Sequence, residues 1–360
     1  MAQPHVKRPA RGATVNAESR RFNLPRTEAD GDWLDERDAI DGAPPPLRTS
    51  VTVEQPRTII SRNASPDIGF DRSINPYRGC EHGCIYCFAR PTHAYHDLSP
   101  GLDFESRLFA KPDAAALLRA ELRKPGYAVA PIALGTNTDP YQPIESDWRI
   151  TRSIIELLAE TRHPLTITTK SDRVLRDLDL LAPMAARQLV AVMLSVTTLD
   201  PKIAMTLEPR APRPAKRIAA IKALADAGIP VTVSLAPVVP AITDHEMEHI
   251  LEAAAQAGAI HASYILVRLP HEVAPLFRGW LDAHFPDRAA KVMGIIQAMR
   301  GGRDNDPQFH SRMRAQGPWA DLLRTRFGIA CKRYGLNQRV WSPLRTDLFR
   351  APAGRQGELF

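Results

Sequence analysis

Three of the chain's four cysteines fall within eight residues, at Cys80, Cys84 and Cys87 in the stretch NPYRGCEHGCIYCFARPTHAY (75–95). The fourth, Cys331, lies more than two hundred residues further on. Four cysteines in 360 residues do not make a disulfide scaffold, and a pair drawn from this group would leave one thiol odd. Thiols spaced C-x3-C-x2-C are placed for metal. A structural zinc site takes four ligands, usually as paired C-x2-C units. No second pair exists here, so His82 or His93 would have to complete it. The alternative is a cubane [4Fe–4S] cluster held by three thiolates, which leaves one iron open to a further ligand. Gly83 relieves crowding where so short a loop must bend.

The chain around this loop alternates between two periodicities. Apolar, β-branched runs predict strands at Ala128–Leu134, Leu165–Thr169, Val190–Ser195, Val231–Leu235 and Tyr264–Leu269, and one more leading into Asn75. Near-continuous apolar strands suit a parallel sheet buried on both faces. Between them lie helical stripes. Trp148, Thr151, Ile155 and Leu158 share one face, and Val174, Leu178 and Leu181 another. Ile218, Ile221 and Leu224 form a third, ended by Gly228 and Pro230. Thr243 with Glu246 spells a capping box ahead of Met247, Ile250 and Leu251. Strand–helix units of about 30 residues, repeated about six times, predict an α/β fold: a barrel, full or partial, or a doubly wound sheet.

This core is expected over residues 56–275. Residues 1–55 mix Arg, Asp, Glu and Pro, run into Pro44-Pro45-Pro46, and read as a flexible, disordered N-terminal arm, although RGATVNAESRRF could dock on a folded body. Residues 276–360 lose the rhythm and read as a basic, helical C-terminal extension. The opening MAQPHVKRPARG carries no apolar core of a signal peptide, and no apolar run approaches the roughly 20 residues that span a bilayer. A cytoplasmic protein without membrane spans is therefore expected.

The cysteine motif, with aromatic Tyr86 just before its last cysteine, resembles the signature of the radical S-adenosylmethionine (AdoMet) enzymes. The flanking words, with GTNTDPYQPIE and TITTKS further on, resemble the group related to spore photoproduct lyase and its bacterial relatives, over roughly residues 60–275. The resemblance implies a partial (β/α)6, TIM-like barrel with its site at the C-terminal strand ends. It implies a [4Fe–4S] cluster on Cys80, Cys84 and Cys87. AdoMet would chelate the free iron and be cleaved to a 5′-deoxyadenosyl radical by an electron from a reduced flavodoxin- or ferredoxin-type donor. It further implies that the segment holding Gly135, Thr138 and Asp139 binds the AdoMet ammonium. Lys170 would bind its carboxylate, Ser195 would reach the ribose and Tyr86 would lie near the adenine. Each also has a plainer reading: an Asx-type turn, a solvated strand-end lysine, a turn serine, a packed loop aromatic.

One departure bears on activity. In spore photoproduct lyase an extra cysteine near the second-strand motif donates hydrogen to the product radical, but GTNTDPYQP contains none. Cys331 recurs at helical spacing with Trp319, Leu323, Phe327 and Tyr334, which reads as a packing face. Glu208, Arg210, Arg213 and Arg217 are expected near the open face, on a substrate or at a solvated helix start. His82, His93 and His96 read as neighbours of the motif rather than ligands, and Tyr141 as either channel-lining or packed.

The whole chain carries a net charge of +7, whereas residues 288–350 hold thirteen Lys and Arg against four Asp and Glu, a net of +9. Interleaved with Phe309, Trp319, Phe327 and Trp341, this segment reads either as a surface for a nucleic acid partner or as a basic accessory helix set whose aromatics pack on the barrel. The function expected is radical chemistry on an unassigned substrate, with lyase-like DNA repair first in view. Two alternatives stand: radical modification of a peptide or small molecule, and a non-catalytic, metal-stabilised nucleic-acid-binding module.

Overall fold

The structure is a computed structural model and describes residues 10–14, 16, 19, 21, 47–340 and 342–353. Its strands are β1 (Ser50–Val53), β2 (Ile60–Arg62), β3 (Arg72–Ile74), β4 (Tyr77–Arg78), β5 (Arg107–Ala110), β6 (Ile132–Leu134), β7 (Leu165–Thr169), β8 (Val190–Ser195), β9 (Val231–Val238) and β10 (His261–Leu266). The large sheet runs β10-β9-β8-β7-β6-β3-β2. Six of these strands, β3 and β6 to β10, are parallel neighbours in chain order, and β2 closes the edge antiparallel to β3. This is the partial (β/α)6 arrangement. One face of the sheet is apolar and buried, with Ile74, Leu134, Ile167, Val192, Val233 and Leu235 in line across the strands, whereas the other carries small and hydroxyl side chains, among them Ser73, Ala133, Thr166, Ala191, Thr232 and Ser234. The near-continuous apolar strands expected from the sequence are thus apolar on the helix-covered side only, and the second face is the one with hydroxyls.

The helices that cover it are α1 (Ala114–Leu122), α2 (Ile150–Glu160), α3 (Leu178–Ala185), α4 (Pro214–Asp226), α5 (Met247–Gln256), α6 (Val273–His284), α7 (Pro286–Ala298) and α8 (Pro318–Arg333). The helical stripe beginning at Trp148 is broken at Arg149, whose φ of 51° separates a short turn from α2. The capping box does not form. The Thr243 hydroxyl instead accepts the N–H of Val239, and Glu246 accepts from the Thr198 hydroxyl and the Leu199 N–H. A tie to the neighbouring β8 loop thus replaces the local one.

A second, three-stranded sheet, β1-β5-β4, positions the cysteines. Tyr77 pairs with Ala110 and Arg78 with Phe109, so residues 79–106 form an excursion closed at its neck. β1 joins this sheet in register Ser50 to Arg107, which carries ordered structure across the arm boundary expected at residue 55. Residues 10–14 are also seated on the core, with Arg11, Gly12, Ala13 and Thr14 buried. Residues 1–9 and 22–46 of the expected arm lie outside the described residues, as does Trp341. The boundary expected at 275 falls within α6, whose Phe277 and Trp280 belong to the core.

Candidate cofactor site

The cysteine loop is held by its own backbone and by one guanidinium. Cys80 N–H donates to Phe104 O at 2.9 Å, and turns link Gly83 N–H to Cys80 O and Cys87 N–H to Cys84 O. Gly83 sits at φ +67°, where a side chain would be strained. Fully buried Arg90 donates to Cys84 O at 2.9 Å and to Gly83 O at 3.0 Å. Cys80 and Cys84 are buried, Cys87 is partly exposed, and Phe88 beside it is 54% exposed.

Burial pushes all three thiols up, Cys84 to about 12. Backbone N–H groups oppose it: that of Asp139 bonds Cys80, and those of Ala89 and Arg90 bond Cys87. Without a cation the thiols stay protonated at neutral pH, so a positive metal centre is what would make them ligands. Among the described residues, no three His, Cys, Asp or Glu side chains converge as a single ion requires. His93 Nε2 already bonds Arg107 O at 2.8 Å, and burial lowers its pKa to about 4. His82 Nδ1 faces Asp139 Oδ2 at 3.4 Å. Three thiols that do not share one focus, with N–H groups on their sulfurs, fit a cluster of several irons and not a mononuclear zinc.

The C-terminal strand ends stand around this loop. After β6, Gly135 packs so closely that an added Cβ would lie 2.0 Å from Thr168 O. The Thr138 hydroxyl donates to Tyr77 O at 3.2 Å, tying the segment to β4. Asp139 binds three donors: the Thr169 hydroxyl at 2.7 Å, Lys170 N–H at 2.8 Å and Tyr141 N–H at 2.9 Å. Burial pushes its carboxyl up, but His82 and these hydrogen bonds hold it at about 2. Asp139 is therefore an anchor joining two strand ends, a larger structural share than its expected contact with an ammonium.

Beyond β7 and β8 a buried ionic network forms. Glu208 accepts from the Tyr86 hydroxyl, from Arg217 and, at 2.7 Å, from the Thr197 hydroxyl. Burial pushes Glu208 up, yet Arg217 and then Lys170 hold it at about 2. The Lys170 ammonium lies 5.8 Å from the centre of the Tyr86 ring. Burial pulls Lys170 down, and Glu208 with Cys84 more than offsets it. Arg217 also donates to Ser195 O at 3.3 Å, so buried Ser195 joins the same network at the end of β8.

The structure thus brings Tyr86, Gly135, Thr138, Asp139, Lys170 and Ser195 to one end of the sheet with the three cysteines. It leaves others out. The Tyr141 hydroxyl donates to Asp177 at 2.9 Å, and the residue packs. His96 lies against Phe109. Cys331 contacts Asn337, which bonds Ile260 and Ala262 where β10 begins, at the opposite end of the sheet. The parts played by Arg90 and Glu105, and the pairing of Glu208 with Arg217, were not legible before the fold brought them together.

The family model for the Radical SAM superfamily matches residues 74–254, half of the chain, and the chain belongs to that superfamily. Its cofactors are a [4Fe–4S] cluster and AdoMet, which the donor set above fits. An uncharacterized protein of Mycobacterium tuberculosis (strain ATCC 25618 / H37Rv) is 39% identical over 230 residues, 63% of this chain and 68% of its own. One from Methanocaldococcus jannaschii is 28% identical over 215 residues, 59% of this chain and 76% of its own. Among solved structures, spore photoproduct lyase complexed with dinucleoside spore photoproduct aligns with a TM-score of 0.55 at 16% identity, over 79% of this chain and 80% of that one. A mutant of that enzyme with bound AdoMet and the same dinucleoside aligns at 0.54 and 15%, over 85% and 93%. At such identities the likeness is one of fold. No described helix is long and apolar enough to cross a membrane.

Proposed function

We propose that this radical SAM enzyme abstracts hydrogen from a base or lesion in a nucleic acid, in lyase-like DNA repair. The observation that carries the radical chemistry is the meeting of Cys80, Cys84 and Cys87 with Lys170 at one end of six parallel strands. The net charge of +9 over residues 288–350, and a shared fold with an enzyme captured on a dinucleoside photoproduct, support the substrate class. When bound, the reduced cluster and AdoMet supply a 5′-deoxyadenosyl radical. The chain's own residues bind and orient. Cys80, Cys84 and Cys87 would hold the cluster. Lys170 would pair with the AdoMet carboxylate, with its backbone fixed by Asp139. Glu208 fixes the Tyr86 hydroxyl, so the ring presents one face, and Thr138 and Ser195 line the approach. Partly exposed Cys87, with Phe88 beside it, is the natural entry point for an electron from a flavodoxin- or ferredoxin-type donor.

A specific observation favours a second reading, a peptide or small molecule. Trp319 and Phe327 pack on the core, Phe327 at 4.7 Å from Tyr264, rather than offering faces for bases. Several basic residues are paired internally, Arg312 with Asp67 and Arg326 with Glu248. The deciding experiment uses anaerobic, cluster-loaded protein with AdoMet and reductant. Deuterium from labelled, irradiated DNA should appear in 5′-deoxyadenosine, and DNA binding should weaken steeply with salt. Cleavage of AdoMet with no label transfer and no binding at low salt would remove the nucleic-acid reading and leave the second one.

A further inference from the structure

The segment Arg11-Gly12-Ala13 sits on the cysteine loop itself, held through one carboxylate. Glu105 is fully buried. Its oxygens accept the N–H of Gly12 at 2.9 Å, the N–H of Ala13 at 2.8 Å and Arg90 Nη2 at 2.5 Å. Arg90 continues to the carbonyls of Gly83 and Cys84. Arg11 donates to Glu105 O at 2.5 Å and to the Thr49 hydroxyl at 3.2 Å, and Thr49 donates to Glu81 within the motif. The fit is steric as well. A Cβ on Gly12 would stand 2.0 Å from Gly83 O, and one on Gly83 would stand 2.8 Å from Glu105 Oε2. The backbones at residues 12 and 83 and the Glu105 carboxylate therefore close on each other with no room for a further side chain.

We propose that Glu105 is a positioning residue for the cluster, and that residues 11–13 form part of the cluster site as a plug behind its ligating loop. The physical reason is the loop's own weakness. Three thiolates on so few residues repel one another and lie on backbone held mainly by turns. A buried carboxylate that joins Arg90 on one side to two N–H groups of the plug fixes the carbonyls of Gly83 and Cys84, and so the directions of the flanking sulfurs. Outer partners of this kind set how tightly a site keeps its metal. A buried ion pair also keeps its charges matched only while both partners stay seated. The plug completes the ring of donors around Glu105 and covers the outer side of Gly83. This inference rests on the cluster alone and is independent of the substrate reading.

The test uses the full chain loaded anaerobically, read by iron rather than turnover. Gly12→Val places a side chain against Gly83 O without touching a ligand. The variant is expected to keep the far-ultraviolet dichroism of the unaltered chain, yet release iron to a chelator about 10-fold faster or more. Release at the unaltered rate would overturn the proposal. A second measurement needs no variant: amide exchange of the unaltered chain before and after cluster loading. The N–H groups of Gly12 and Ala13 are expected to gain protection together with residues 80–90, because their bonds to Glu105 open with the loop. Protection confined to residues 80–90, with Gly12 and Ala13 unchanged, would equally overturn it, and this measurement decides should Gly12→Val not fold.

Discussion

Asp139 and Lys170 are joined by a backbone hydrogen bond: Asp139 Oδ2 accepts the Lys170 N–H at 2.8 Å, while Oδ1 takes the Thr169 hydroxyl at 2.7 Å. One carboxylate thereby sets the exit direction of β7 and the height at which the lysine leaves it. Removing the carboxylate strands three buried donors, and each unpaired donor costs about 1–3 kcal/mol. Asp139→Ala is expected to destabilise the cluster-loaded protein by about 3 kcal/mol or more in urea unfolding, with Asp139→Asn between it and the unaltered chain. A loss within about 0.5 kcal/mol, the range of ordinary surface changes, would show that the carboxylate anchors nothing.

The Lys170 side chain makes a separable prediction. Its ammonium is held among Glu208, Tyr86 and Cys84, with no carboxylate bonded directly to it among the described residues. A charge-assisted hydrogen bond to the AdoMet carboxylate contributes about 1.5–3 kcal/mol. Lys170→Met should then raise the AdoMet Kd about tenfold or more while iron content stays at the unaltered value. Equal affinity in calorimetric titration would assign the lysine to solvent.

The sheet was legible because its physics is local. Val190–Ser195 is an apolar run up to its last residue and Leu165–Thr169 alternates Leu and Ile with β-branched Thr, and both form strands at those bounds. The cysteine motif was legible for a similar reason, since all its ligands lie within one loop. The pairing of Glu208 with Arg217 was not, because charges nine residues apart look the same on a solvated helix start as in a buried pair. The seating of Arg11–Ala13 was hidden for a stronger reason. A polar, arginine-rich segment has the composition of a free arm, and what buries it is a carboxylate 92 positions from Ala13. Composition reports what a segment can bury by itself and nothing of what a distant partner supplies.

His163 gives the fold a pH dependence. It is fully buried, its Nδ1 bonds the Pro164 carbonyl at 2.9 Å, and Nε2 lies 2.9 Å from the Tyr127 hydroxyl. A carbonyl only accepts, so Nδ1 carries the proton and Nε2 accepts from Tyr127. Burial lowers the imidazole's pKa to about 4. Between pH 6.5 and 4 the unfolded chain takes up a proton that the folded chain refuses, so stability falls as pH falls through that window and is complete above it. The share from this residue is about 3 kcal/mol, and buried His93 acts with the same sign. His163→Gln should lose about that much less than the unaltered chain between pH 6.5 and 4, a difference in which any contribution of the cluster cancels. Parallel curves for the two proteins would place the titration elsewhere.

Cys331 offers the sharpest contrast with the other three cysteines. It lies buried on α8 beside Asn337, which grips the first residues of β10. The strand's six residues, at about 3.3 Å each, put about 20 Å between that end and the end where Cys80, Cys84 and Cys87 stand. A thiol there can neither ligate the cluster nor hand a hydrogen atom to a product radical. Burial also raises it to about 11, as for an inert packed thiol. Cys331→Ala should therefore keep full iron content and unchanged AdoMet cleavage, with a stability loss of about 1 kcal/mol from the vacated volume. Replacing any one of Cys80, Cys84 or Cys87 by alanine should abolish both. If Cys331→Ala instead stalled turnover with the cluster intact, the thiol would have to reach the site by a movement of α8, and its burial against β10 would not describe the working enzyme.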